Sequence, residues 1–374
     1  MDIKKLLKLV AVKKASDLFI TAGFPPSIKL DGCLIPVTKT PLTATEAKVL
    51  VLGVMDEKQR LEFELKQECN FAIAQAGIGR FRVSAFQQRN QAGMVLRRIE
   101  EKIPSLDELR LPRILQDLSM AKRGLVILVG ATGTGKSTTL AAMLGYRNEN
   151  DTGHIISIED PIEFIHQHKK CIVTQREVGI DTESYEVALK NSLRQAPDVI
   201  MIGEIRSQDT MRQALNFAET GHLCLATLHA NNANQALDRI LHFFPPEHHH
   251  QTWMELSLNL KGIVAQQLIP SLNGAGRCPA IEVLLNTPLA QDIIRKGDAQ
   301  ALKELMKKSR ELGMQTFDQA LLDLYNSGEI SYEEALRHAD SANDLRLMIK
   351  LGSEVDGDYL TERSSKLTLQ MEEA

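Results

Sequence analysis

The chain has 374 residues, enough for about two domains at ~100–200 residues each. It is 43% hydrophobic and 25% charged, and its 44 Lys and Arg against 48 Asp and Glu leave a formal charge of −4, so nucleic acid is not an expected partner. Five scattered cysteines without a C-x-x-C point to reduced thiols rather than disulfides or zinc, and no window of ~18 apolar residues is present to span a membrane.

The N-terminus, Met1 to Leu7, lacks the apolar core of a signal peptide. Residues 2–14 carry Ile3, Leu6, Leu7 and Val10 at amphipathic-helix spacing, and Ser16-Asp17 closes that helix. Leu18 to Ile20 reads as a strand, and Ile28–Leu30 and Cys33–Ile35 flank Asp31-Gly32 as a hairpin. Thr43 to Glu64 reads as one helix opened by a Thr43-x-x-Glu46 capping box. Asn70–Ala74 and the alternating Gly79–Phe86 follow as strands, with Met94–Ile99 as an antiparallel neighbour. Residues 1–99 are therefore expected to form a small α+β domain. Its Arg80, Arg82, Arg97 and Arg98 read, on sequence alone, as a solvated sheet face. The charged, proline-bounded stretch 100–112 suits an interdomain linker.

A helix from Arg113 to about Met120 leads into the apolar run Leu125–Val129, a buried parallel strand by composition. Then comes Gly130-Ala131-Thr132-Gly133-Thr134-Gly135-Lys136-Ser137, followed by Thr138 and a glycine-free helical stretch. This is G-x-x-x-x-G-K-[ST], a phosphate-binding loop. The glycines let backbone amides approach an anion, and the helix N-terminus adds a favourable dipole. Lys136 supplies a mobile positive charge, and the Ser137 hydroxyl suits Mg²⁺. ATP with Mg²⁺ is the expected ligand.

Strands and helices alternate from there to about residue 285, so 113–285 is expected to be an α/β domain with a mainly parallel sheet. Three segments bring acids or bases to C-terminal strand ends, which face the ligand crevice in such sheets. The strand Ile155–Ile158 runs into Glu159, Asp160 and Glu163, and Glu163 is assigned to orient and deprotonate an attacking water. Val199–Ile202 runs through Gly203 into Glu204, an acid placed to hold Mg²⁺ through water or to polarise the nucleophile. Asp198 falls at the opposite edge. Leu223–Leu228 is bracketed by His222 and His229; His229, at the ligand end, is assigned to sense the γ-phosphate. His248-His249-His250 reads as an extended loop whose rings diverge, which does not make a metal site.

Residues 286–352 are helical in pattern, with capping boxes at Thr316-x-x-Gln319 and Ser331-x-x-Glu334 and a helix stop at Gly328. Residues 353–374 read as a polar, flexible tail.

The runs GATGTGKSTT, IISIEDPIEF, RQAPDVIMIGEIR and TGHLCLATLHANNA, with SDLFITAGFPPSIKLDG and GRFRVSAFQQRN near the start, resemble secretion-type traffic ATPases. The resemblance covers nearly the whole chain and is to type IV pilus retraction ATPases, the PilT/PilU family. Extension and type II secretion ATPases usually carry a longer N-terminal region and a four-cysteine zinc motif, which this sequence lacks. Ala131, the Leu289–Lys296 segment and an acidic tail after Ile349 depart from PilT and resemble the PilU branch.

The resemblance implies a RecA-like P-loop domain, a PAS-like first domain and a homohexameric ring at the inner-membrane face of the pilus base. It implies an inner-membrane platform protein and a PilT-type sister motor as partners. Family members are thought to present basic residues in trans to the nucleotide, and Arg82 and Arg97 match those positions. Closure around ATP would then draw domains together, and product release would let them part. Other readings are a nucleotide-dependent scaffold, a traffic ATPase for assembly, secretion or DNA uptake, and a small-molecule kinase.

Overall fold

In the computed structural model the described residues are 2–354, apart from Asp31, Glu100, Glu101 and Ala275. The chain divides into two compact units, Met1–Ile103 with Ile162–Ile165, and Pro104–Pro161 with the residues from His166 on.

The first unit starts with α1 (Ile3–Lys13), β1 (Asp17–Ile20), β2 (Ser27–Leu30) and β3 (Cys33–Pro36). It continues with α2 (Ala44–Leu52), α3 (Glu57–Lys66), β4 (Glu68–Gln75), β5 (Gly79–Gln88) and β6 (Gln91–Ile99). Its sheet runs β3-β2-β1-β6-β5-β4, antiparallel throughout. The long helix expected over 43–64 is two helices. Val54 and Met55 interrupt it, and Asp56 opens α3 with a capping box of its own. The Asp31 half of the predicted turn lies outside the described residues, although Leu30 and Cys33 pair across it. Between β5 and β6, Arg89 (φ 50°) and Asn90 (φ 60°) both take left-handed conformations, which matches the twist of a tight hairpin.

The Thr43 box at α2 is complete: Glu46 N–H donates to Thr43 Oγ1 at 3.2 Å, and Thr43 N–H donates to Glu46 Oε2 at 2.9 Å. Thr43→Ala is expected to destabilise the first unit by about 1 kcal/mol, read as a lower urea midpoint.

The second unit begins with α4 (Ile114–Ser119), β7 (Gly124–Val129), α5 (Lys136–Asn150), β8 (Gly153–Glu159) and β9 (Cys171–Glu177). Then come α6 (Tyr185–Ser192), β10 (Val199–Ile202), α7 (Gln208–Glu219), β11 (Leu223–Leu228) and α8 (Ala233–His242). It ends with α9 (His249–Asn259), β12 (Leu260–Pro270), β13 (Arg277–Leu285), α10 (Pro288–Lys296), α11 (Ala299–Lys308), α12 (Phe317–Asn326), α13 (Tyr332–His338) and α14 (Ala342–Glu354). The sheet order is β13-β12-β7-β11-β10-β8-β9, parallel except for β13. This is the α/β architecture that the alternating elements predict.

The period-2 geometry of the strands sorts their apolar residues onto two cores. Leu125, Ile127 and Val129 of β7 join Cys224, Ala226 and Leu228 of β11 on the face covered by α6–α8. Val126 and Leu128 join Leu223 and Leu225 on the face covered by α4 and α5.

Of the stretch read as linker, the part from Pro104 on belongs to the second unit. Leu106 and Leu111 are buried there, and Ser105 and Glu108 exchange backbone-to-side-chain hydrogen bonds across a turn. Ser331 caps α13, but Glu334 turns to His338 Nε2 at 3.3 Å and Arg337 at 3.6 Å. The histidine run is not an extended loop. Pro246–His248 is a 3₁₀ turn, His249 starts α9, and its Nε2 meets Phe244 O at 3.0 Å. Ser353 and Glu354 belong to α14; the rest of the expected tail lies outside the described residues.

Candidate functional site

The C-terminal ends of β7, β8, β10 and β11 lie at one edge because these strands are parallel neighbours in the sheet. They carry the P-loop, Glu159 and Asp160, Glu204 and His229 respectively.

The P-loop is shaped by the sheet beside it. A Cβ on Gly130 would stand 2.5 Å from Thr134 Oγ1 and 2.6 Å from Gln266 O, at a φ of +155°. At Gly135 it would meet Gln266 Nε2 at 2.9 Å, at a φ of +87°. Only glycine fits either place. Gln266, buried on β12, also accepts a hydrogen bond from Thr139 Oγ1 at 2.7 Å. It therefore packs close against both ends of the loop and is bonded to the helix that follows. The clue to it was a polar pair, Gln266-Gln267, inside an apolar strand. Lys136 is 9% exposed, and its Nζ donates to Gly130 O at 2.7 Å and Ala131 O at 2.9 Å. Its amine is folded over the loop whose ligand it is suited to bind.

Glu204 and His229 are brought together: Glu204 Oε1 lies 3.1 Å from His229 Nε2. Thr227 makes this meeting possible. Its hydroxyl donates to Gly203 O while Ile205 N–H donates to Thr227 O, lacing the end of β10 to β11. Glu204 Oε2 accepts from Arg206 Nε at 2.7 Å and pairs with Nη2 at 2.6 Å, and Arg206 also reaches Asp160 Oδ2 at 3.4 Å. The hydrogen bond to Glu204 raises Arg206 above the usual guanidinium range. Arg206 was not singled out from sequence, although it stands two residues past Glu204.

Two clefts flank the loop. One of about 530 Å³ is lined by Gly130, Ala131 and Thr132 together with His229, Ala230 and Asn231. The other, of about 550 Å³, is bordered by Gly135, Thr138, Thr139 and Gln266, with Arg110 and Glu329 paired at 2.6 Å on its wall. A phosphate chain on the loop amides thus has room on both sides.

Other sequence-selected residues fall elsewhere. Glu159 is buried and accepts from Ser157 Oγ at 2.6 Å and Gln175 Nε2 at 3.1 Å, which is a structural use. Glu163 is exposed and lies in the Ile162–Ile165 segment that groups with the first unit. Asp198 accepts His154 N–H at 2.7 Å at the start of β10, and His222 meets Thr220 at the start of β11. Arg82 and Arg97 belong to the first unit, where they face each other across β5 and β6. Arg97 Nε donates to Asp17 Oδ1 at 2.9 Å, while Arg82 has no side-chain partner among the described residues. Among those residues no helix is long and apolar enough to cross a membrane.

A family described as "Type II/IV secretion system protein" matches residues 1–309. The Type IV pilus ATPase PilU of Pseudomonas aeruginosa is 69% identical over 371 residues, covering 99% of this chain and 97% of the relative. The PilT retraction ATPase of the same organism is 42% identical over 339 residues, covering 91% and 98%. Among solved structures, the pilus retraction motor PilT with bound ADP aligns at a TM-score of 0.87 and 39% identity, covering 92% of this chain and 99% of that one.

Proposed function

This chain belongs to the type II/IV secretion system protein family, and we propose that it is a motor ATPase of type IV pilus retraction, acting as an accessory to a PilT-type sister motor. The near full-length identity with the Pseudomonas pilus ATPase carries this reading. Within it the chain binds ATP on the loop Gly130–Thr138 and hydrolyses it to ADP and phosphate. It works as a homohexamer on the cytoplasmic side of the inner membrane, against a platform protein at the pilus base.

The chemistry assigned to the residues follows from their types and places. The loop amides and Lys136 neutralise phosphate charge as it shifts toward the leaving oxygen. Glu204, held by Arg206 and His229, has one carboxylate fixed at the strand end, where it can polarise water. His229 reads the γ-phosphate, and Glu163 is assigned to the attacking water. The hydroxyl of Ser137 and the carboxylate of Glu204 are hard oxygen donors that fit Mg²⁺, which would supply charge neutralisation when bound. Arg82 and Arg97 are assigned to act from a neighbouring subunit.

A mixing experiment tests the shared site. Arg82→Ala and Lys136→Ala rings should each hydrolyse ATP poorly, while mixed rings should recover several-fold, because some interfaces then carry both residues. No recovery in mixed rings would sink the trans assignment. In cells, removing the sister motor should stop retraction; retraction that persists would overturn the accessory role.

A further inference from the structure

The end of β11 has an attachment besides Glu204. After His229 the chain reaches Asn232, whose side chain caps α8 by accepting Gln235 N–H at 2.9 Å. Ala233, the first residue of α8, donates its N–H to Glu282 Oε1 at 2.8 Å. Phe317, the first residue of α12, donates its N–H to Glu282 Oε2 at 3.4 Å. One carboxylate therefore joins the starts of two helices.

Glu282 is 3% exposed, an expensive place for a carboxylate. It sits on β13 opposite Ala265, which pairs with Val129, which pairs with Leu228. Glu282 thus ends the cross-strand row formed by the residues just before Gly130 and just before His229. The unsatisfied N–H groups of two helix starts explain why the acid is tolerated there. Burial pushes its carboxyl up to about 7, opposed by the Ala233 N–H, with Asp340 raising it and Lys303 lowering it.

The neighbouring contacts repeat the connection. Asn234 Nδ2 donates to Ala299 O at the start of α11 at 2.9 Å. Asp340, just before α14, accepts from Lys303 Nζ at 3.0 Å and from Asn232 Nδ2 at 3.5 Å. Asp318 Oδ1 in turn accepts the Asp340 N–H at 2.8 Å.

We propose that Glu282 is a positioning residue of the hydrolytic site: its two oxygens fasten the start of α8, and with it the His229–Asn232 segment, to the start of α12. The proposal rests on the hydrolytic reading of Glu204 and His229. Turnover then depends on a carboxylate that touches neither of them, and α12 is linked through Glu282 and the start of α8 to the segment that follows His229.

The test uses the full chain, assayed with ATP and Mg²⁺ well below each variant's melting temperature. Wild-type turnover, abolished by Glu204→Gln, is the control that keeps failure of the hydrolytic reading separate. Glu282→Gln keeps the volume but turns an NH₂ toward one of the two N–H groups. It should lower kcat about tenfold or more while KM stays within about twofold, because orientation and not binding is lost. A folded Glu282→Gln with wild-type kcat, whatever its melting temperature, overturns the proposal. If that variant does not fold, Ala233→Pro decides. Proline is tolerated at a first helical position and removes the N–H given to Glu282. Ala233 is 0% exposed, so Ala233→Val, which adds two carbons and keeps the N–H, is the control for bulk. A fall in kcat that the valine control does not share supports the assignment, and unchanged kcat, or an equal fall in the control, overturns it.

Discussion

Lys136→Ala is expected to cut ATP turnover by about 10³-fold or more and to weaken nucleotide binding. The amine is the cation nearest the loop amides in sequence, and its Nζ already lies within 3 Å of two loop carbonyls, at 2.7 and 2.9 Å. A nucleotide's phosphates offer it a charged partner in place of neutral oxygens, and charge-assisted bonds are roughly twice as strong. Alanine removes that exchange and leaves Gly130 O and Ala131 O without this donor. A modest loss of stability of about 1 kcal/mol should therefore accompany the kinetic defect. Phosphate release measured beside titration with a fluorescent nucleotide separates the two effects. Full turnover in the variant would place hydrolysis somewhere other than this loop.

Glu204→Gln should be comparable in turnover and different in binding. A fall of about 10³-fold in kcat is expected with nucleotide affinity changed only a few-fold, since the role proposed for the carboxylate is to polarise the reacting water, while the loop amides and Lys136 bind the phosphates. Glutamine keeps the shape, and one oxygen can still accept from Arg206. What disappears is the charge. Arg206 and His229 then remain around a neutral amide. Wild-type rates in that variant would show that the carboxylate serves only to anchor Arg206 and His229. Arg206→Ala offers the converse comparison, because it frees Glu204 Oε2 without removing the carboxylate.

The clearest sequence signals came from contiguous runs. The strand, glycine loop and helix around Lys136 follow one another directly, so a single pass along the chain displays them. The same holds for the Thr43 and Thr316 boxes, whose partners stand three residues apart and meet within one helical turn. The 43–64 stretch misled because its apolar pattern continues through Val54 and Met55. Gly53, which caps the end of α2, and the Asp56 cap, with Gln59 answering it, break that continuity. The histidine run misled for a related reason: Pro245-Pro246 reads as a loop signal, yet Pro246 begins a 3₁₀ turn that leads straight into α9.

Local order along the chain was enough to reveal the P-loop, the strand-ending Glu204 and His229, and the parallel α/β class, because each depends on near-neighbour spacing and strand periodicity. The tertiary structure alone decided which of those groups meet. Glu204 reaches His229 because β10 and β11 are adjacent and Thr227 laces their ends together. Gln266 and Glu282 enter only because β12 and β13 extend the sheet beyond the P-loop strand. Their partners, Thr139 and the starts of α8 and α12, are distant in sequence. A hydrogen bond across that distance leaves no periodic trace in the chain; it exists once burial has forced each polar group to find a partner.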